Sequence, residues 1–134
     1  MLLQPKKTKY KKMQKGKLHK YNFRLNKLQF GDLGLKATKS GTITARQIEA
    51  ARQAIVRKLN RKGKLWIRIF PNVPITTKPT EVRMGKGKGM VSHWGIKVSA
   101  GTVLFEVCGI SKNSAVTAFK TGGAKLPIKT TIFL

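Results

Sequence analysis

The segment from Pro71 to Gly89 is the part of this sequence whose residue types and spacing best suit a chemical task. It reads PNVPITTKPTEVRMGKGKG, so its three prolines favour an extended backbone and its three glycines let its end approach another surface closely. Alternating glycines and lysines place backbone N–H groups beside ammonium groups, which suits threading between phosphate backbones. ATP binding is disfavoured, because neither G-x-x-x-x-G-K-[ST] nor G-x-G-x-x-G occurs in this segment.

Side chains that could catalyse a reaction or bind a metal ion are few and far apart. Cys108 is the only cysteine and lies in a predicted strand with no neighbouring histidine, while His19 and His93 are distant from each other. The acidic residues also occur singly, as Asp32, Glu49, Glu81 and Glu106. We therefore expect no catalytic residues, no enzyme activity, no metal site and no cofactor.

The charge balance of the chain indicates a polyanionic partner. Its 134 residues include 29 Lys and Arg but only 4 Asp and Glu, which gives a formal net charge of +25. Nucleic acid is the first partner that such an excess predicts, and an acidic membrane surface is the second. A freely diffusing packaging protein or membrane-active cation is the alternative on charge alone. No membrane span is expected, because the apolar runs are far shorter than the roughly 20 residues that a span needs.

Residues 1–28 form a basic arm of low hydrophobicity, which we expect to be extended until it binds RNA. Its lysines are interspersed with aromatic rings, so phosphate contacts and base stacking could be combined. The alternative is a solvated tail or a localisation signal. The predicted RNA-binding residues of the arm are Lys6, Lys7, Lys9, Tyr10, Lys11, Lys12 and Lys15, and Lys17, Lys20, Tyr21 and Phe23 continue the pattern.

Residues 29–134 are predicted to fold as a single domain, because 40% of the chain is hydrophobic and its length is usual for one domain. The excess of positive charge makes RNA the expected partner of this domain. The clearest helix runs from Thr44 to Arg61 and begins with a capping-box pattern at Thr44 and Gln47. Helical spacing predicts a buried stripe of Ile48, Ala51, Ile55 and Leu59.

The opposite side of this helix is basic. It carries Arg46, Gln53 and Arg57, with Arg61 nearby, and either faces phosphates or is only solvated. We favour the phosphate-facing interpretation and include Arg46 and Arg57 among the RNA-binding residues, because few acids are present to pair with them. Glu49 is predicted to pair along the helix with Arg46 or Gln53.

Alternating hydrophobicity predicts several strands. Lys64–Phe70 is interpreted as a central strand, because both of its faces carry large side chains; Arg68, on the face of Trp66 and Phe70, is a further predicted RNA-binding residue. Val91–Val98 and Thr102–Cys108 are separated by a short turn, which predicts an antiparallel pair with Trp94 and Phe105 in the core.

The C-terminal part is predicted to add a second helix and a last strand. The helix begins at Ser111 and continues through Val116 and Phe119, although glycines at 122 and 123 each cost about 1 kcal/mol relative to alanine. The last strand, Ile128–Leu134, would close the sheet. The expected class is α+β: an antiparallel or mixed sheet packed with two helices, a long basic N-terminal arm, and an extended basic loop over residues 71–89.

Six ordered blocks resemble the bacterial-type large-subunit ribosomal protein 16 family and span nearly the whole chain. The blocks are LQPKKTKYKKMQKGK from Leu3, FGDLGLKA from Phe30, ITARQIEAARQA from Ile43, GKLWIRIFP from Gly63, KPTEVRMGKGKG from Lys78, and KLPIKTTIF from Lys125. The sequence departs from the family pattern over residues 19–28, at Cys108, where an acid is common, and over residues 121–123.

The resemblance implies an α/β-hammerhead body embedded in large-subunit ribosomal RNA. It also implies a structural role that helps position tRNA at the aminoacyl-tRNA site near the peptidyl-transferase centre, a part in late subunit assembly, and contacts with neighbouring ribosomal proteins. Self-association is not expected. The residues that the resemblance places in the loop near tRNA and the peptidyl-transferase region are Arg83, Met84, Gly85, Lys86, Gly87, Lys88 and Gly89.

The compartment is predicted from the ratio of lysine to arginine and from the N-terminal sequence. Lysine greatly outnumbers arginine, which suggests an AT-rich coding genome, and residues 1–20 lack the pattern of a secretory signal or a transit peptide. We therefore expect a ribosome of a mitochondrion that encodes the protein itself. A plastid and the bacterial cytoplasm are the alternatives.

Overall fold

The computed structural model describes residues 3–18 and 21–134. Residues 1, 2, 19 and 20 lie outside this description, and with them His19 and the predicted arm residue Lys20. The elements in chain order are β1 (Leu33–Ala37), β2 (Gly41–Thr44), α1 (Ala45–Lys58), β3 (Lys64–Ile67), β4 (Val73–Thr77), β5 (Met90–Val98), β6 (Val103–Cys108), α2 (Lys112–Gly123) and β7 (Thr130–Phe133). The predicted α+β class with two helices is confirmed.

The strands form two antiparallel sheets instead of the one that was expected. The larger has the order β3-β6-β1-β7 and the smaller β2-β5-β4. The predicted pairing of Val91–Val98 with Thr102–Cys108 is wrong, because β5 and β6 lie in different sheets. Residues Val103 to Val107 of β6 are all buried, and this strand takes its partners from β1 and β3. The turn between the two strands is bound elsewhere, with the Gly101 N–H donating to the Ala37 carbonyl at 2.7 Å.

The prediction that Lys64–Phe70 is a central strand is also wrong. Its regular part, β3, is an edge strand that pairs only with β6. Side chains on both faces of β3 are partly covered. One face packs on the core, and the other is covered by the segment that leads into β1, where Phe30 lies against Trp66. Partial burial on two faces therefore reflects a covering segment and not a central position in the sheet.

Helix α1 forms as its sequence predicts. The Thr44 hydroxyl accepts from the Gln47 N–H at 3.3 Å, and the Gln47 side-chain oxygen accepts from the Thr44 N–H at 2.9 Å, which completes the capping box. The helix ends at Lys58, three residues before the predicted end, and Asn60 and Arg61 have positive φ angles of 50° and 61°. The predicted stripe is confirmed as buried: Ile48, Ala51, Ile55 and Leu59.

Helix α2 is confirmed and remains helical through both of its glycines. A side chain at Gly122 would overlap Ile55 of α1, so this glycine permits the close packing of the two helices. The helices join the inner face of the larger sheet in one core that includes Leu35, Phe105 and Phe119. Phe105 is fully buried as predicted, whereas Trp94 is only half-buried and is not part of the core.

The predicted loop over residues 71–89 contains a strand that was not foreseen. Val73–Thr77 forms β4, the edge strand beside β5, with Pro74 opposite Trp94. Proline is tolerated on an edge strand, because its missing N–H need not serve the ladder. The irregular, exposed part therefore begins at Lys78, and residues 78–89 are called the Gly/Lys loop below. Among the described residues, no helix is long and apolar enough to cross a membrane.

Candidate nucleic-acid interface

Positive charge dominates the surface, with little acidic compensation. Among residues 3–18 and 21–134, the ion pairs are Arg52 with Glu49 and Arg68 with Glu106. The other lysines and arginines of these ranges have no carboxylate within ion-pairing distance. An external polyanion is therefore the partner best able to neutralise them.

The arm lies beside the Gly/Lys loop, a proximity that the sequence did not reveal. The Lys12 ammonium donates to the Lys88 carbonyl at 2.8 Å, and the Lys88 ammonium donates in return to the Met13 carbonyl. Next to this contact, the Lys97 ammonium of β5 donates to the Gln14 carbonyl at 3.3 Å. Two basic segments more than 70 residues apart in sequence thus form one continuous surface.

The predicted arm residues face solvent. Those from Lys6 to Lys15 have exposed side chains, and the Lys9 ammonium lies 5.6 Å from the centroid of the Tyr10 ring. This arrangement keeps phosphate-binding groups and a ring for base stacking available together. The exposed set is Lys6, Lys7, Lys9, Tyr10, Lys11, Lys12 and Lys15.

The Gly/Lys loop presents its backbone and its cations to the outside. Gly85, Lys86 and Gly87 have successive positive φ angles of 97°, 51° and 88°. The two glycines adopt such angles without strain, whereas Lys86 is a non-glycine residue in the left-handed region. The Lys78 ammonium donates to the Gly85 carbonyl at 2.5 Å and ties the base of the loop to its tip. The residues from Arg83 to Lys88, including Met84, are exposed, and Gly89 is half-buried against Thr77.

The outer side of α1 divides into paired and unpaired cations. Arg52 binds Glu49 through two hydrogen bonds, of 2.9 and 2.7 Å, and Gln53 donates to the same carboxylate at 3.1 Å. The Arg52 guanidinium lowers the pKa of Glu49 below its ordinary value. The predicted contact of Glu49 with Gln53 is confirmed, but its arginine partner is Arg52 and not Arg46. Arg46 and Arg57 therefore stay exposed and available to phosphates.

An open cleft of about 860 Å³ adjoins this helix face. The start of the arm, the first turns of α1 and the start of β5 line it, including Leu3, Arg46, His93 and Trp94. Trp94 is half-buried because it borders this cleft. No group of three or more potential metal ligands comes together in the part of the chain that the structure describes.

Arg68, which the sequence predicts to bind RNA, contacts protein groups in the structure. Its guanidinium donates to the Glu106 carboxylate through one nitrogen and to the Gln29 side-chain oxygen at 2.8 Å through another, and its side chain is only 12% exposed. Because these donors face protein acceptors, a phosphate could bind Arg68 only by displacing its ion pair with Glu106. The sequence did not reveal this ion pair, because the partner, Glu106, is 38 residues away.

Glu106 is fully buried, yet it is well bound. Its carboxylate accepts the backbone N–H groups of Gln29 at 3.2 Å, Phe30 at 2.7 Å and Gly31 at 3.0 Å, in addition to the Arg68 guanidinium. Burial raises the pKa of Glu106, but the three N–H groups and the guanidinium outweigh it and hold the pKa below the ordinary value. This single side chain joins the end of the arm to the centre of the larger sheet.

Comparisons with known proteins show similarity to a ribosomal protein family. A family model described as ribosomal protein L16p/L10e matches residues 5–133. The large ribosomal subunit protein uL16 of Cereibacter sphaeroides is 54% identical over 134 residues, covering 98% of this chain and 96% of the relative. The uL16 protein of Halorhodospira halophila is 55% identical over 130 residues, covering 97% of this chain and 95% of the relative. That of Bartonella henselae is 54% identical over 129 residues, covering 96% of this chain and 94% of the relative.

Replacing Glu106 with Gln should destabilise the fold by about 3–5 kcal/mol, the usual result of breaking a buried ion pair. The amide would direct donors toward Arg68 and the N–H groups of residues 29–31. Because the folded-state pKa is lowered, the stabilisation is complete above the ordinary value of 4.5 and is lost as the pH falls below it toward the folded-state pKa. Urea unfolding followed by tryptophan fluorescence between pH 7 and 3 measures both effects.

Glu49→Gln provides the matched control, because Glu49 also binds an arginine but lies on the helix surface. We expect it to change the free energy of unfolding by less than about 1 kcal/mol. Equal stabilities and equal pH dependence for the two variants would contradict the structural role assigned to Glu106.

Proposed function

Because the chain belongs to the ribosomal protein L16p/L10e family, we propose that it binds large-subunit ribosomal RNA through the arm, the Gly/Lys loop and the outer face of α1. The chain is a structural constituent of the large ribosomal subunit, in agreement with the names of its uL16 relatives. Its partners are accordingly ribosomal RNA and neighbouring ribosomal proteins.

The observation that carries this proposal is the continuous basic surface formed by the arm and the Gly/Lys loop. Phosphate groups entering this surface would meet ammonium groups from both segments and would neutralise the repulsion between them. The exposed arginines of α1 extend the positive surface. The residues proposed to bind RNA are Lys6, Lys7, Lys9, Tyr10, Lys11, Lys12, Lys15, Arg46, Arg57 and Arg83, and Arg68 is removed from the predicted set.

We further propose that the Gly/Lys loop, with residues 83–89 at its end, reaches toward aminoacyl-site tRNA and the peptidyl-transferase region. Its exposure and its positive φ angles support a backbone that can approach RNA closely. The role would be structural, with the chemistry carried out by RNA, and would extend to late assembly of the subunit. The chain would act as one copy and not as a homo-oligomer.

The domain division proposed from the sequence is an arm over residues 1–28 and a body over residues 29–134. Contacts at the junction support an anchored arm, since the Val103 N–H donates to the Leu25 carbonyl at 3.0 Å.

The proposed location is the ribosome. The relatives above are bacterial and fit the bacterial cytoplasm, while the mitochondrial location inferred from lysine content stays a prediction.

Sedimentation tests this proposal against a general packaging or membrane-active role. A cell extract separated on a sucrose gradient should show the chain with the large subunit at moderate salt, and not with the small subunit. Purified full-length chain should also prefer large-subunit RNA to duplex DNA and anionic vesicles. Free protein at every salt concentration, or equal binding to all three polyanions, would contradict the proposal.

Replacing Lys86 and Lys88 together with Ala should impair function more than folding. Both side chains are exposed, so the urea midpoint should stay close to that of the unaltered chain. Affinity for aminoacyl-site tRNA should fall roughly tenfold, equivalent to about 1.4 kcal/mol, or large subunits should mature more slowly. Binding of tRNA to purified subunits and gradient profiles measure these effects.

The matched control removes two exposed lysines from α2, as Lys112→Ala with Lys120→Ala. This pair lowers the net charge equally but lies outside the proposed surface. Normal tRNA binding and subunit maturation in the Lys86 and Lys88 variant would refute the proposed role of the loop.

A further inference from the structure

We propose that the outer side of β3 and its continuation form a stacking surface for an unpaired base of RNA. This cation–aromatic face consists of Phe30, Lys64, Trp66 and Phe70. Arg68, which is bound to Glu106, lies against Phe30 as a positioning residue and not as an RNA contact. The inference rests on the proposed function in taking RNA as the partner. It adds a binding surface separate from the arm, the Gly/Lys loop and α1.

The face arises from strand geometry. Alternate residues of an extended chain point to one side, so residues 64, 66, 68 and 70 share the outer side. The regular strand ends at Ile67, but the Arg68 N–H still donates to the Leu104 carbonyl at 2.9 Å. The sequence on this side therefore alternates a cation with an aromatic ring.

The side chains form an ordered row. The Lys64 ammonium lies 5.1 Å from the centroid of the Trp66 ring, and the Trp66 and Phe30 rings lie 6.0 Å apart with an interplanar angle of 20°. The Arg68 guanidinium carbon lies 5.1 Å from the centroid of the Phe30 ring. Each of the two near-parallel rings thus has a cation over it.

The row is fixed before any ligand binds. The Phe30 N–H donates to the Glu106 carboxylate at 2.7 Å, and the same carboxylate binds Arg68. Phe30 is nevertheless 56% exposed and Phe70 is 48% exposed. Because the Phe30 backbone is held by the buried carboxylate, less conformational entropy is lost when its exposed ring binds, which favours recognition.

An unpaired base fits this face better than an apolar protein segment. Bases stack on aromatic planes, and the linking phosphates would find the exposed Lys64 at the end of the row. The carboxylate next to the row, Glu106, is fully buried and bound, so it does not oppose an anion. Duplex RNA would present phosphates but no free base surface, which makes an unpaired nucleotide the occupant of choice.

Ultraviolet crosslinking of large subunits that contain the full chain tests this inference. After nuclease and trypsin digestion, mass spectrometry should detect a nucleotide on the peptide of residues 28–36, which contains Phe30. Crosslinks on arm or Gly/Lys-loop peptides, but none on this peptide, would overturn the stacking surface and leave the proposed function intact. Absence of the chain from large subunits would overturn both. A chemical crosslink from residues 28–36 to another protein, without a nucleotide adduct, would identify a protein interface instead.

Two variants separate stacking from folding. Phe30→Leu keeps an apolar side chain but removes the ring, and should lower affinity for purified large-subunit RNA roughly 5- to 100-fold, as expected for the loss of one base stack. Phe30→Tyr keeps the ring and should retain affinity within about twofold. Equal affinities for both variants, at unchanged urea midpoints, would overturn the inference. If Phe30→Leu fails to fold, the crosslinking experiment on the unaltered chain still tests whether Phe30 contacts a nucleotide.

Discussion

The buried carboxylate of Glu106 is the interaction on which the arrangement of this protein depends. In a chain with a net charge of +25, one of the few acids lies at the centre of the larger sheet, where it binds one guanidinium and three backbone N–H groups. Withdrawing a carboxylate from water is unfavourable, and only such a complete set of donors offsets it. The bound N–H groups belong to residues 29–31, so the same interaction fixes the point from which the arm leaves the body. The position of Phe30 beside Trp66 follows from it as well.

The remaining charge has few internal partners, and its distribution determines what the surface can do. The hydrophobic core holds the two sheets and two helices together without using the cations. The arm and the Gly/Lys loop contact each other through lysine ammonium groups bound to backbone carbonyls, although both segments are basic. Phosphates bound between the two segments would neutralise the repulsion between their lysines, so under the proposed function RNA binding by one segment would favour binding by the other. A large net charge alone would not distinguish this arrangement from that of a packaging protein.

Local features were predictable from the sequence, and long-range ones were not. The capping box of Thr44 and Gln47, the buried stripe of α1 and the existence of α2 follow from spacing within a few residues. The partners of β6, the edge position of β3 and the strand within residues 73–77 depend on segments distant in sequence, which periodicity does not reveal. Arg68 was assigned to RNA because its partner in the sheet was not foreseen. The available signal was Glu106 itself, a lone acid inside an apolar strand of a very basic chain.

The central claim is that the basic surfaces bind defined positions in large-subunit RNA. Chemical probing of that RNA, in subunits with and without the chain, tests it most directly. The account predicts protected nucleotides clustered around the aminoacyl-tRNA site and the peptidyl-transferase region, including an unpaired base whose protection disappears without the chain. Scattered protection with no cluster, or protection confined to other regions of the subunit, would contradict it.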